Sequence, residues 1–153
     1  MALFLVQHGK SLSKDIDPEQ DLSKEGILEV ERIANAAKRN GIRVSRIEHS
    51  GKKRAQRTAE IFASALNPKD GVQERSGLKP LDDVTVIANE IGSKDNLMLV
   101  GHLPFMERLT SYLITGSTDK PVFKFQNGGI LCMDQNMDVY TWVIKWALMP
   151  YIE

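Results

Sequence analysis

The sequence predicts an α/β protein: a three-layer α/β/α sandwich on a mostly parallel, mixed sheet, formed by a single domain over residues 1–153. Three observations carry this. Short apolar runs of strand length alternate with longer segments of helical periodicity. The run Leu97-Met98-Leu99-Val100 is apolar without alternation, as in a strand covered on both faces. The closing stretch, Val122 to Trp146, reads as strands joined by turns, which adds antiparallel character. A chain of 153 residues is long enough to bury a core without staples.

Taken in order, Ala2 to Val6 forms a first strand that runs into Gln7-His8-Gly9-Lys10, and Ser11 to Asp21 is a polar loop. Ser23 then caps a helix on which Ile27, Val30, Ile33, Ala34 and Ala37 recur at helical spacing, and Asn40-Gly41 stops it. Ile42 to Ile47 alternates polar and apolar residues and predicts a second strand leading to His49-Ser50-Gly51. Lys53 to Leu66 is a second helix with Ala55, Ala59 and Phe62 on its buried side. Asn67 to Gly77 is broken by Pro and Gly and is expected to be irregular.

Asp82 or Asp83 caps a third helix that carries Val84, Ile87, Ala88 and Ile91, with Gly92-Ser93 as its stop. Leu97 to Val100 is a strand that ends in Gly101-His102. A fourth helix runs from about Pro104, which a first turn tolerates, to Ile114. Val122 to Trp146 supplies two or three strands with turns at Asn127-Gly128 and at Asp134 to Met137.

Composition narrows the function. Lys plus Arg equal Asp plus Glu at 20 each, so neither nucleic acid nor an anionic membrane is expected as a partner, and any anion site is local. The single cysteine, Cys132, excludes an intrachain disulfide and a cysteine-rich zinc site, and its apolar surroundings predict burial. No apolar run approaches a membrane span, and Ala2 to Val6 lacks the basic n-region of a signal peptide, so a cytoplasmic protein is expected.

Three segments converge on one edge of the inferred sheet: Gln7-His8-Gly9-Lys10, His49-Ser50-Gly51-Lys52-Lys53-Arg54 and Gly101-His102. Strand tips far apart in sequence meet at the C-terminal edge of such sheets, where ligands bind. Two histidines and an arginine there make a phosphate site. Arginine's planar fork matches phosphoryl oxygens, the helix start near Lys53 adds backbone N–H groups, and histidine can attack phosphorus. The plainer readings are a solvated basic run for Lys52 to Arg54 and a satisfied structural histidine for His102.

Four words of the chain resemble, in order, the markers of the histidine phosphatase superfamily, the phosphoglycerate-mutase-like clan, and within it the short SixA-type phosphohistidine phosphatases. They are Leu5-Val6-Gln7-His8-Gly9-Lys10-Ser11, Leu22-Ser23-Lys24-Glu25-Gly26, Ser50-Gly51-Lys52-Lys53-Arg54-Ala55-Gln56-Arg57-Thr58-Ala59 and Leu99-Val100-Gly101-His102-Leu103-Pro104. Phe125 to Gly129 is similar to the family's loop before its last strands. The resemblance implies a phosphatase in which His8 is transiently phosphorylated while Arg54 and His102 hold the transferring group. It implies Gln7, Gly9, Lys10, Ser11 and Gly101 as substrate-binding positions. Neither metal nor cofactor is implied, and the substrate is a phosphohistidine protein or a small phosphomonoester. A non-catalytic phosphate- or phosphoprotein-binding module is the alternative, as is a small-metabolite phosphatase.

Three positions depart from the pattern. Gln7 stands where the family has an arginine on the phosphoryl oxygens, and Gly51 where it has a proline. Leu103 follows the second histidine, where some larger relatives place an acid. Asp82 and Asp83, in Leu78-Lys79-Pro80-Leu81-Asp82-Asp83, are the candidate proton donors, although helix capping accounts for either one. The little room between Ala59 and Asp82 for a covering insertion favours an open pocket and a phosphohistidine on a protein surface.

Overall fold

A computed structural model describes residues 2–92 and 95–152. In chain order its elements are β1 (Leu3–Gln7), α1 (Lys24–Arg39), β2 (Arg46–His49), α2 (Lys53–Leu66) and β3 (Val72–Glu74), then α3 (Val84–Glu90), β4 (Leu97–Gly101), α4 (Phe105–Thr115), β5 (Ile130–Asn136) and β6 (Thr141–Leu148). The six strands form one sheet in the order β3-β2-β4-β1-β5-β6. The first four strands are mutually parallel, and the closing hairpin adds β5 and β6 antiparallel. This is the mixed three-layer architecture expected from the sequence.

The pleat distributes the core between two layers, because successive side chains of a strand face opposite ways. Phe4 and Val6 of β1 join Val30, Ile33, Ala55 and Phe62 under α1 and α2. Leu3 and Leu5 join Val84, Ile87, Phe105 and Leu109 under α3 and α4. β4 is buried at every residue, which explains its unbroken apolar run. Along α1, Val30, Ile33, Ala34 and Ala37 are each at most 3% exposed. Burying each of the two larger ones stabilises the fold by about 1.5–3 kcal/mol. Ser23 caps this helix by accepting from the Gly26 amide, and the αL residue Gly116 closes α4.

Three boundaries differ from the sequence expectation. The second strand is Arg46–His49, not Ile42 to Ile47. Val44 is buried and Ile42 packs on the core, so the alternation records burial of a connection, and pairing begins only where Arg46 meets Leu97. The stretch expected to be irregular contains β3, a three-residue edge strand with only Val72 part-buried, too short for a periodic signal. The final turn occupies residues 137–140 in place of Asp134 to Met137, because Asp134 and Gln135 pair with Val143 and Trp142. Their polarity reflects a solvated hairpin and not a turn, and no strand forms between Val122 and Gln126. Asp83 caps α3 and Ile91 ends it; Ser93, half of the expected stop, lies outside the described residues.

Candidate active site

The parallel strands β1, β2 and β4 end together, with Gln7 opposite Gly101 and His49 opposite Val100. Just beyond β1, the His8 amide donates to the Gly101 carbonyl (2.9 Å) and the Gly128 amide donates to the Gln7 carbonyl (2.8 Å). Asn127 Nδ2 donates to the His8 carbonyl (2.9 Å). The Gly9 amide donates to Thr58 Oγ1 (3.0 Å), and that hydroxyl donates to the Arg54 carbonyl (2.8 Å). The first turn of α2 is thereby fastened to the His8 loop. α1 is seated on the same loop by a close approach that only glycine permits: a Cβ on Gly26 would lie 2.1 Å from the Lys10 carbonyl oxygen.

His8 Nδ1 lies 2.7 Å from the Gly9 carbonyl oxygen. A carbonyl only accepts, so Nδ1 carries the proton and Nε2 keeps a free lone pair. Burial pushes the His8 pKa down to about 4, against the Gly9 hydrogen bond and with help from the Arg54 charge. The ring is therefore neutral near pH 7, the state a nucleophile requires.

The His102 ring faces His8 at 5.1 Å between centroids, tilted by 55°. Its Nε2 is 2.6 Å from Ser50 Oγ. That oxygen also accepts from the Lys52 amide (3.3 Å); in the tautomer in which the hydroxyl donates to Nε2, the neutral His102 ring carries its proton on Nδ1. This Nδ1 is buried and has no partner among the described residues, and in that tautomer it is a donor in need of an acceptor. Burial, then the charges of His8, Arg54 and Lys52, push the His102 pKa down to about 3.

Arg54 completes the group. It is half-buried and in no ion pair among the described residues, while its charge acts on both rings. No carboxylate figures among the charges acting on either histidine. The site brings together a neutral imidazole with a free ring nitrogen, an unpartnered ring nitrogen of His102 that is a donor in the Nδ1–H tautomer, and a guanidinium outside any ion pair among the described residues, an arrangement complementary to an oxyanion.

The buried histidines make stability depend on pH. Their folded values lie below the ordinary 6.5, so below pH 6.5 the unfolded chain binds protons that the native state does not. Stability is complete above that value and falls as the pH drops toward 4. For His8 alone, lowered from 6.5 to about 4, the loss between pH 7.5 and pH 5 is about 2 kcal/mol. Urea titrations at the two pH values are expected to show it, and His8→Gln to remove that share. An unchanged pH dependence in the variant would assign the loss to other groups.

The remaining candidates occupy varied surroundings. Gln7 is 9% exposed, and its Oε1 is buried without a partner. Lys10 is directed away from the histidines: its ammonium meets Glu25 at 3.1 Å, Glu29 at 3.6 Å and the Tyr151 hydroxyl at 3.0 Å. Ser11 bridges to Leu22. Asp82 accepts from the Lys79 amide and Asp83 from the Thr85 amide and hydroxyl, so both serve local backbone. Gly51 has a φ of +89°, and its amide donates to His49 Nδ1. Proline could adopt neither feature, which makes this loop different in kind from a Ser-Pro turn. Sequence reasoning did not single out Ser50, Thr58 or Asn127 for a role. The first two lie inside the Arg54 motif, four residues to either side of Arg54, and Asn127 inside an Asn-Gly turn.

No group of three or more His, Cys, Asp or Glu among the described residues is placed to hold a metal ion, and no described helix is long and apolar enough to cross a membrane.

The fold is the phosphoglycerate-mutase-like architecture of the histidine phosphatase structures, and the chain is similar to proteins of that superfamily. Within that class the likenesses support the SixA type. The chain is 26% identical over 156 residues to the phosphohistidine phosphatase SixA of Escherichia coli (strain K12), covering 98% of this chain and 94% of that one. A structure of the protein histidine phosphatase SixA complexed with tungstate superposes with a TM-score of 0.82 at 24% identity, covering 98% and 97% of the two chains. A mycobacterial glucosyl-3-phosphoglycerate phosphatase complexed with VO3 gives 0.73 at 13% identity, covering 97% and 99%. No protein-family model matches the chain.

Proposed function

We propose that the protein is a phosphatase that removes the phosphoryl group of phosphohistidine from a partner protein through a transient phosphohistidine at His8. The observation that carries this reading is the His8 ring: Nδ1 is held by the Gly9 carbonyl, and the ring lies 5.1 Å from that of His102 and under the Arg54 charge. Two similar structures are named as complexes with oxyanions, tungstate and VO3, ligands of the kind this reading expects.

In the first step the Nε2 lone pair of His8 forms a bond to phosphorus as the P–N bond of the substrate breaks, and the departing imidazole nitrogen takes a proton from water. Arg54 and His102 Nδ1–H stabilise charge on the equatorial oxygens. In the second step the hydroxide left by that proton transfer attacks phosphorus, the bond to His8 breaks, and inorganic phosphate leaves with His8 neutral again. Neither step requires a metal or cofactor.

The absence of any carboxylate acting on the two histidines favours an N–P substrate, because an imidazole leaves with less help from an acid than an alkoxide does. Gln7 favours a second reading, a phosphoprotein-binding module without turnover, since an amide brings neither charge nor fork to the phosphoryl oxygens. Incubation with a radiolabelled phosphohistidine protein, followed by rapid quenching and peptide mapping, separates the two. Label on His8 together with released phosphate is expected. Binding of inorganic phosphate with neither label nor release would sink the enzyme reading, and faster turnover of small sugar phosphates would redirect it to metabolites.

A further inference from the structure

The most unusual charge arrangement outside the phosphoryl site lies immediately beside it. A cleft of about 580 Å³ opens between the Lys14 to Gln20 loop and the start of α2, lined by Lys14, Glu19, Gln20, Lys52, Lys53 and Arg54 among others. Its one carboxylate, Glu19, is taken by Lys53 at 2.9 Å. Lys14, Lys52 and Arg54 have no ion pair among the described residues. Elsewhere near the site cations are neutralised, Lys10 by Glu25 and Glu29 and Arg57 by Asp21. Asp15, Asp17 and Asp21 stand on the same loop but do not line the cleft, so the three cations without an ion pair give the concavity itself an attraction for anions.

Arg54 belongs to both places. It lines the cleft, and its charge acts on His8 and His102. An anion in the cleft therefore shares Arg54 with the phosphoryl site.

We propose that this cleft is a specificity subsite, in which Lys14 and Lys52 receive the carboxylate of an Asp or Glu close to the phosphorylated histidine of the substrate protein. The proposal rests on the phosphohistidine phosphatase reading and adds the substrate's flanking chemistry to it. A carboxylate fits better than a nucleic-acid backbone, because the cations are confined to a concavity and form no extended stripe.

Two phosphohistidine peptides that differ only in Glu or Gln beside the phosphorylated residue test it. Two exposed charge pairs give the Glu peptide a kcat/KM advantage of about five- to tenfold at low salt, carried mainly by KM and shrinking toward unity as salt screens the cleft. Lys14→Gln combined with Lys52→Gln brings the ratio near one. Glu19→Gln, which removes the cleft's carboxylate and leaves Lys53 its 3.8 Å contact to Asp21, raises it. A ratio near one in the unaltered protein, or a ratio that the double variant leaves unchanged, would overturn the proposal.

Hydrolysis of either peptide supports the underlying reading. If neither is hydrolysed that reading fails, and the same Glu-to-Gln ratio, measured as binding of peptides carrying a non-hydrolysable phosphonate, still decides the subsite. Tighter binding of a small bisphosphate or an oligonucleotide than of the Glu peptide would also overturn it.

Discussion

Arg54→Ala is expected to lower kcat/KM on a phosphohistidine substrate by about 10² to 10⁴, the largest effect of any substitution at a residue that only binds the phosphoryl group. A guanidinium can give two parallel charge-assisted hydrogen bonds to phosphoryl oxygens, each worth about 1.5–3 kcal/mol, and every 1.36 kcal/mol is a factor of ten in rate. The loss is large because no other cation offers a fork: Lys52, whose charge also reaches His102, brings a point charge only, Lys10 is held by Glu25 and Glu29, and both histidines are neutral near pH 7. Folding is expected to change little, since Arg54 has no ion pair among the described residues and its one contact to the His8 loop is a backbone carbonyl held by Thr58. Steady-state kinetics with a thermal melt checks both statements. Arg54→Lys, which keeps the charge and loses the fork, should fall between the two. A rate within threefold of the unaltered protein for Arg54→Ala would remove the guanidinium from the reaction.

The same substitutions show which parts of the site could be read from the sequence. The meeting of His8, Arg54 and His102 at one sheet edge was legible because each stands at an end of an element with a strong signal: an apolar run, a helix of clear periodicity, a strand buried on both faces. Local patterning fixes where such elements end, and parallel topology does the rest. The link between Ser50 and His102 was not legible, since the two are 52 residues apart and nothing in either word specifies a side-chain contact. Lys10 shows the same limit. As the residue two beyond His8 it reads as a phosphate ligand, yet its ammonium is claimed by Tyr151, 141 residues away, and by two glutamates of α1. Register in the final hairpin was missed for a related reason. A solvated strand such as Asp134 to Asn136 has the composition of a turn, and only its partners across the ladder distinguish the two.

Gln7→Arg is expected to raise kcat/KM by roughly ten- to 150-fold, the worth of one charge-assisted hydrogen bond of about 1.5–3 kcal/mol restored to the transition state. The position suits the exchange. Gln7 pairs with Gly101 at the tip of β1, next to His8, and its Oε1 is already buried without a partner, so the amide gives up no hydrogen bond when replaced. The new cation would share a half-buried site with Arg54 and no carboxylate, which carries a desolvation and repulsion penalty when the pocket holds no anion. Lower melting temperature without phosphate, a larger stabilisation on adding phosphate, and faster turnover should therefore appear together. The partition between constants tells what the arginine does: a rise in kcat means contact made in the transition state, whereas a fall in KM alone means the ground state is bound equally well. If phosphate binds more tightly while turnover does not improve, the missing element of catalysis is not charge at position 7, and the phosphoprotein-binding reading gains the ground that the enzyme reading loses.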